Sequence, residues 1–243
     1  MPTQTVFWDS DNQRELLDRG KIYKYLHPDV PMPKITRHPD WTVFLSKTYN
    51  KEGIKILEIG SRAVTGFMPR KFFPLASYVG FDIIAGENVD VIGDAHKLSS
   101  YFNGGEKFDL VLSSAVFEHF AMPWMVSCEI AKILKLGGEV FIVTHFSFSS
   151  HERPWHFFHF TDMGLKVLFP REMGFECVEA GFSNPIVGRY SNIEMSMGNY
   201  ANEPVTGLYA HVGMLAKYVE KVDGFEWKNV DMGKLVGNTR YPG

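Results

Sequence analysis

Hydrophobic positions along the chain fall into short runs separated by polar breaks. Runs of strand length cover residues 54–59, 78–82, 89–93, 108–113 and 138–146, each bounded by Gly, Asp, Asn or Ser. Between the last two, residues 123–134 carry a helical pattern, closed by Leu136, Gly137 and Gly138, where glycine suits a left-handed helix terminus. Thr161 followed by Asp162 reads as the cap and first turn of another helix. Residues 14–25 place Leu16, Leu17, Ile22 and Tyr25 near helical spacing, and residues 208–217 are the best candidate for a late strand. Strands alternating with helical stretches predict an α/β fold, a doubly wound and mostly parallel sheet with helices on both faces. Residues 1–50, with scattered aromatics and a Pro-rich stretch at 28–39, read as an N-terminal helical or irregular cap. Residues 51–243 read as the main domain with a C-terminal extension, its last twenty or so residues an irregular tail.

Composition narrows the partners. The chain has 243 residues, enough for one large α/β domain with a filled core. Its net charge is -3 and no long run of Lys or Arg stands out, which argues against a nucleic-acid backbone or an anionic membrane as main partner. Arg62, Arg70 and Lys71 form the one local basic group of note. The two cysteines, Cys128 and Cys177, lack C-x-x-C spacing, and the polar residues 1–14 do not resemble a secretion signal, so no structural disulfide is expected. No apolar stretch approaches the ~20 residues of a membrane helix. The expected compartment is the cytoplasm, and a homodimer is one arrangement that would order the tail.

In an open parallel sheet, ligands bind beyond the carboxyl ends of the strands, near the point where strand order reverses. The first run ends Glu58-Ile59-Gly60-Ser61, where glycine lets a turn approach a ligand closely. The second ends Gly80-Phe81-Asp82, followed by Ile83; an acid there can accept two hydrogen bonds from ribose hydroxyls. The third ends Gly93-Asp94-Ala95-His96, and the fourth ends Ser113-Ser114 before Glu118-His119. Each piece alone is weak, since a strand-end Asp is more often an ordinary helix cap. Their order, each at a strand's C-terminal end, is what carries weight.

With these residues in place, the stretch 54–182 resembles the class I S-adenosylmethionine-dependent methyltransferases, which have a Rossmann-like fold. The most specific part runs from Phe108-Asp109-Leu110-Val111 through Glu118-His119 to Glu129, Leu134-Lys135 and Gly137-Gly138. The resemblance implies S-adenosylmethionine as cofactor. It implies Glu58, Gly60 and Ser61 around the methionine half, Asp82 with Ile83 at the ribose, Asp94, Ala95 and His96 at the adenine, and Ser113 near the amine or sulfonium. The first loop, Gly60 to Gly66, is poorer in glycine than the family's usual loop. That pattern also argues against a dinucleotide enzyme, whose G-x-G-x-x-G turn serves a pyrophosphate that S-adenosylmethionine lacks.

Past the fifth run, residues 144–161 hold four of the nine histidines together with six aromatics. Three readings of this stretch compete: packing by the aromatics, a metal site, and acid–base catalysis. His151, His156 and His159 lack the i, i+4 pair of a helical zinc motif and have no cysteine nearby, so no metal is expected. An alcohol acceptor must lose a proton to become a nucleophile, and histidine is the natural base. His151 is the first candidate, followed by His145 and His156. The stretch also resembles a segment of methyltransferases from glycan and surface-polysaccharide gene clusters, H-x-x-P-x-D-aromatic-aromatic-R-aromatic-T. His151, Pro154, Phe157, Phe158, Phe160 and Thr161 fit it, while His156 and His159 replace the Asp and the Arg. That resemblance implies a small hydroxylated acceptor such as a sugar or sugar nucleotide, in carbohydrate biosynthesis, with His119, Trp155 and His159 at the substrate. An N-methyltransferase on a small amine and a cofactor-binding relic without catalysis stay open beside O-methylation.

Overall fold

The computed structural model describes residues 30–31, 33, 41–102, 105–191, 199–231 and 233–234. The helix expected at 14–25 and half of the tail lie outside these residues. Seven strands form one sheet: β1 (Lys55–Ile59), β2 (Ser77–Asp82), β3 (Val91–Ile92), β4 (Phe108–Ser114), β5 (Leu134–His145), β6 (Phe175–Pro185) and β7 (Tyr209–Tyr218). Their order is β3-β2-β1-β4-β5-β7-β6. β1 to β5 pair in parallel, and β7 runs antiparallel to both β5 and β6. The chain moves outward from β1 through β2 to β3, then crosses back to β4 on the other side of β1. A crevice therefore opens at the carboxyl ends of β1 and β4.

The parallel strands are buried on both faces, as such sheets require. Alternation along each strand sends side chains to two separate cores. On one face Leu57, Ile59, Val111, Val140 and Ile142 meet Val126 and Ile130 of α2 (Pro123–Ile133) and Leu165 of α3 (Asp162–Leu168). On the other, Ile56, Leu110, Leu112, Phe141 and Val143 meet Trp41 and Leu45 of α1 (Trp41–Tyr49). Trp41 stacks on Phe141 with ring centroids 4.9 Å apart. Of the expected cap at 1–50, the described helix thus packs on the sheet. The Thr161 hydroxyl accepts from Gly164 N at 3.0 Å and caps α3 as its sequence suggests.

Three local features depart from the sequence pattern. The third run shrinks to two residues, because only Val91 and Ile92 pair, with Phe81 and Asp82. α2 stops at Ile133 rather than at the glycines, because Leu134 already pairs with Phe108. The strand then bulges through Gly137 (φ 86°), and regular pairing resumes at Glu139 opposite Leu110. β6 has no clear alternation in the sequence: it is an edge strand with a bulge between Cys177 and Glu179, and exposed charge there is tolerated. Among the described residues no helix is long and apolar enough to cross a membrane.

Candidate functional site

The turn after β1 is held tightly. Gly60 and Ser61 both donate to the Phe81 carbonyl, at 2.8 and 3.1 Å, which ties this turn to the end of β2. Gly60 has φ 78° and faces the β4 exit so closely that a Cβ would lie 2.0 Å from Val116 Cγ2. Only glycine fits both conditions. Ser113 pairs with Ile59 across β4 and β1. The hydroxyls of Ser61 and Ser113 are buried without a hydrogen-bond partner in the protein. The Glu58 carboxylate is almost fully buried and accepts from Tyr78 Oη and Asn88 Nδ2, both at 2.9 Å. Burial nevertheless pushes its pKa up to about 7.

At the end of β2, Asp82 accepts from Arg62 N (3.2 Å) and Ile84 N (2.9 Å), while Ile83 is exposed. Asp94 accepts from both the backbone N and Nδ1 of His96, at 2.9 and 2.7 Å. Despite the cost of burial, these bonds hold the Asp94 carboxyl below its ordinary pKa. His96 Nε2 accepts from Met122 N at 3.3 Å, so His96 bridges the segment after β3 to the segment after β4. Ala95 is buried beside it. Glu58, Gly60, Ser61, Asp82, Asp94, Ala95, His96 and Ser113 thus come from four separate strand ends to one edge of the sheet.

The histidines gather at the neighbouring edge. His145 ends β5, and its ring stacks on Phe148 with centroids 4.3 Å apart. His151 lies 5.0 Å from His145, 4.9 Å from His119 and 4.6 Å from His156, centroid to centroid. His159 lies 4.8 Å from His156, and His211 of β7 lies 5.5 Å from His145. Six of the nine histidines therefore form one cluster. Burial, then the His151, His159 and His119 imidazoles, push His156 below its ordinary pKa. The loop after β5 is stitched down: Phe157 N and Phe158 N donate to the Glu118 carbonyl, and Phe160 N donates to the His145 carbonyl. Trp155 exposes its ring while its carbonyl accepts from His119 Nδ1 at 2.8 Å.

At the floor of the cluster lies Glu118, fully buried. Thr144 Oγ1 donates to its Oε2 at 2.5 Å, and its Oε1 lies 3.0 Å from His145 Nδ1. Burial raises the pKa of this carboxyl, but the His145 imidazole and the Thr144 hydroxyl outweigh that and hold it low.

A family model described as "Methyltransferase domain" matches residues 60–142. That span covers the Gly60 turn, Asp82, Asp94, the β4 exit and the strand leading into His145. Residues 60–142 carry an S-adenosylmethionine-dependent methyltransferase domain. The fold agrees. A methyltransferase of Archaeoglobus fulgidus superposes with TM-score 0.52 at 16% identity, covering 72% of this chain and 92% of that one. A candidate methyltransferase of Bacillus halodurans gives TM-score 0.50 at 15% identity over 74% and 99%. A Haloferax volcanii protein solved in complex with the Trm112 methyltransferase activator gives 0.50 at 16% over 75% and 90%. No curated protein matches the chain.

The methyltransferase's crevice fits its cofactor in one respect: the hydroxyls of Ser61 and Ser113, at the ends of β1 and β4, are buried without a protein partner. Sequence reasoning assigned no role to three members of the second cluster. Glu118 is quoted only in the family signature, and Thr144 and His211 not at all as site residues. Glu118 and Thr144 meet because β4 and β5 are neighbours. His211 joins because antiparallel β7 places it opposite His145, a pairing invisible in sequence spacing.

Proposed function

We propose that this methyltransferase transfers the methyl group of S-adenosylmethionine to an oxygen of a small hydroxylated acceptor, such as a sugar, a sugar nucleotide or a related metabolite. Glu58, Gly60, Ser61 and Ser113 surround the methionine half, Asp82 and Ile83 the ribose, and Asp94, Ala95 and His96 the adenine. The bound cofactor supplies an electrophilic methyl group on a sulfonium. The protein supplies position, and it removes the acceptor's proton.

The observation that carries this reading is the histidine cluster beside the cofactor crevice, joined to it through Val116, which touches Gly60, and the two residues that follow. An oxygen acceptor needs such proton-accepting groups; an amine needs a carboxylate to hold its ammonium. The buried carboxylate here, Glu118, holds Thr144 with one oxygen and lies against the His145 ring with the other, beneath the imidazoles. His151, His145 and His156 carry the proton step, with His119, Trp155 and His159 around the acceptor. The aromatic faces of Trp155 and Phe157 are exposed and suit a sugar ring.

The test is methyl transfer from labelled S-adenosylmethionine to a panel of sugars, sugar nucleotides and matched amines. Transfer to hydroxyl acceptors is expected, and transfer to amines alone would end the oxygen reading. In parallel, His151→Ala should lower kcat and kcat/KM together by roughly 10²–10⁴-fold, with cofactor affinity unchanged in calorimetry.

A further inference from the structure

Glu118, His145 and His151 turn one ligand atom each into a shared space, all within 4.8 Å of one another. Glu118 Oε1 and His145 Nδ1 are both buried and face each other at 3.0 Å, and neither meets a hydrogen-bond partner among the described residues. A carboxylate oxygen and a ring nitrogen left this way are unusual in a folded interior, and a cation between them satisfies both. The surroundings are built to hold the ligands still. Thr144 fixes the other Glu118 oxygen at 2.5 Å. Phe148 stacks on the His145 ring. His151 Nδ1 lies 3.0 Å from the Ser149 carbonyl; donating there, it leaves the Nε2 lone pair free, which is how metal-binding histidines are oriented.

We propose that Glu118, His145 and His151 bind a divalent transition-metal ion of the zinc class. Two imidazoles and one carboxylate suit zinc, cobalt, nickel or iron better than magnesium or calcium. Three protein ligands leave a coordination position open, as in catalytic zinc sites. Binding of the ion does not depend on the proposed function; its role does. When bound, the ion would offer its open position to the acceptor hydroxyl and would ease the loss of that hydroxyl's proton. His119 takes that proton at Nε2, since its Nδ1 donates to the Trp155 carbonyl and its Nε2 lies 3.9 Å from Glu118 and 3.7 Å from Glu152. An oxygen electron pair forms the bond to the methyl carbon as the carbon–sulfur bond breaks. The pair from that bond returns to sulfur, which becomes a thioether, and the ion keeps its charge throughout. His145 and His151 then serve the proton step as ligands.

The experiment titrates the full chain, stripped of metal by chelator, with Co²⁺. It follows the visible absorption of the bound ion, then displacement by Zn²⁺ and the change in Tm. The expected result is one ion per chain, a Tm that rises with Zn²⁺, and at least tenfold weaker binding in His151→Ala. Glu118→Gln should weaken binding likewise; because Glu118 is buried, the half-buried His151 carries the test if that variant misfolds. No binding at about millimolar metal, or binding unchanged in both variants, overturns the site. Specific binding upholds the site even if only amines prove to be methylated. Absent binding overturns it while transfer to a hydroxyl by metal-free protein keeps the oxygen reading.

Discussion

Both oxygens of Asp82 accept a backbone N–H, from Arg62 and Ile84, and each keeps a further lone pair for a ribose hydroxyl. Asp82 is therefore positioned by the two loops it joins before any cofactor arrives. Asp82→Ala should weaken S-adenosylmethionine binding by roughly 1.5–3 kcal/mol, the worth of charge-assisted hydrogen bonds. Asp82→Asn, which keeps one acceptor oxygen, should lose less. Calorimetry on the folded variants decides it, and unchanged affinity in Asp82→Ala would remove this residue from the ribose role. Among the histidines the order suggested by sequence shifts in meaning. His151 is half-buried and central, while His145 is buried beneath Phe148 and against Glu118. Of the two, only His151 can be truncated with little risk to the core.

At the scale of elements, the β1 turn and the β4 exit are a matched pair. Gly60→Ala puts a methyl group 2.0 Å from Val116 Cγ2 in a backbone of φ 78°. The left-handed backbone costs about 1–2 kcal/mol and the overpacking about 1–3 more. Chemical denaturation should show the loss, and cofactor binding should fall with it. Adding Val116→Ala should recover the overpacking share but not the backbone share, so the double variant lands between Gly60→Ala and the Val116→Ala single variant. A fully additive pair would mean that the two elements do not press on each other. The helix α1 offers a second test. Trp41 is fully buried and stacks on Phe141 of β5, so Trp41→Ala should cost about 3–5 kcal/mol in urea unfolding. Little or no loss would mean that α1 is a detachable cover and no part of the core.

For the whole molecule, Glu58 links stability to pH. Its folded pKa is about 7 against an ordinary 4.5, raised by burial. A carboxyl raised in this way favours the fold in its protonated form. Its contribution is present in full below pH 4.5 and is lost as pH rises through about 7. The amount lost is on the order of 3 kcal/mol. Glu58→Gln keeps an oxygen to accept from Tyr78 and Asn88 and should flatten this slope, leaving the variant more stable than the parent above neutrality. Denaturation curves across that range check it; parallel curves for the two proteins would show that Glu58 is ionised throughout. How much of the molecule was legible beforehand follows from the range of each signal. Local alternation and breaks were enough for a parallel α/β sheet, for the run through β5, for the Thr161 cap and for the order of Glu58, Asp82 and Asp94 along the strand ends, because each of these is set by residues within one element. How short the edge strand β3 is, the bulge that carries Leu134 into β5, and the whole of β6 were not legible, because pairing with a neighbour decides them. The same holds for the second cluster. Sequence spacing around His151 argued against a metal ligand set, since His151, His156 and His159 lack the i, i+4 pair and have no cysteine nearby, whereas the set of Glu118, His145 and His151 is drawn from the β4 exit, the end of β5 and the loop beyond it. Only the adjacency of β4 with β5, the antiparallel return of β7 and the folded-back loop bring a buried carboxylate under six imidazoles. The chain's local chemistry determined which residues it could use, and the packing of distant strands decided which of them meet.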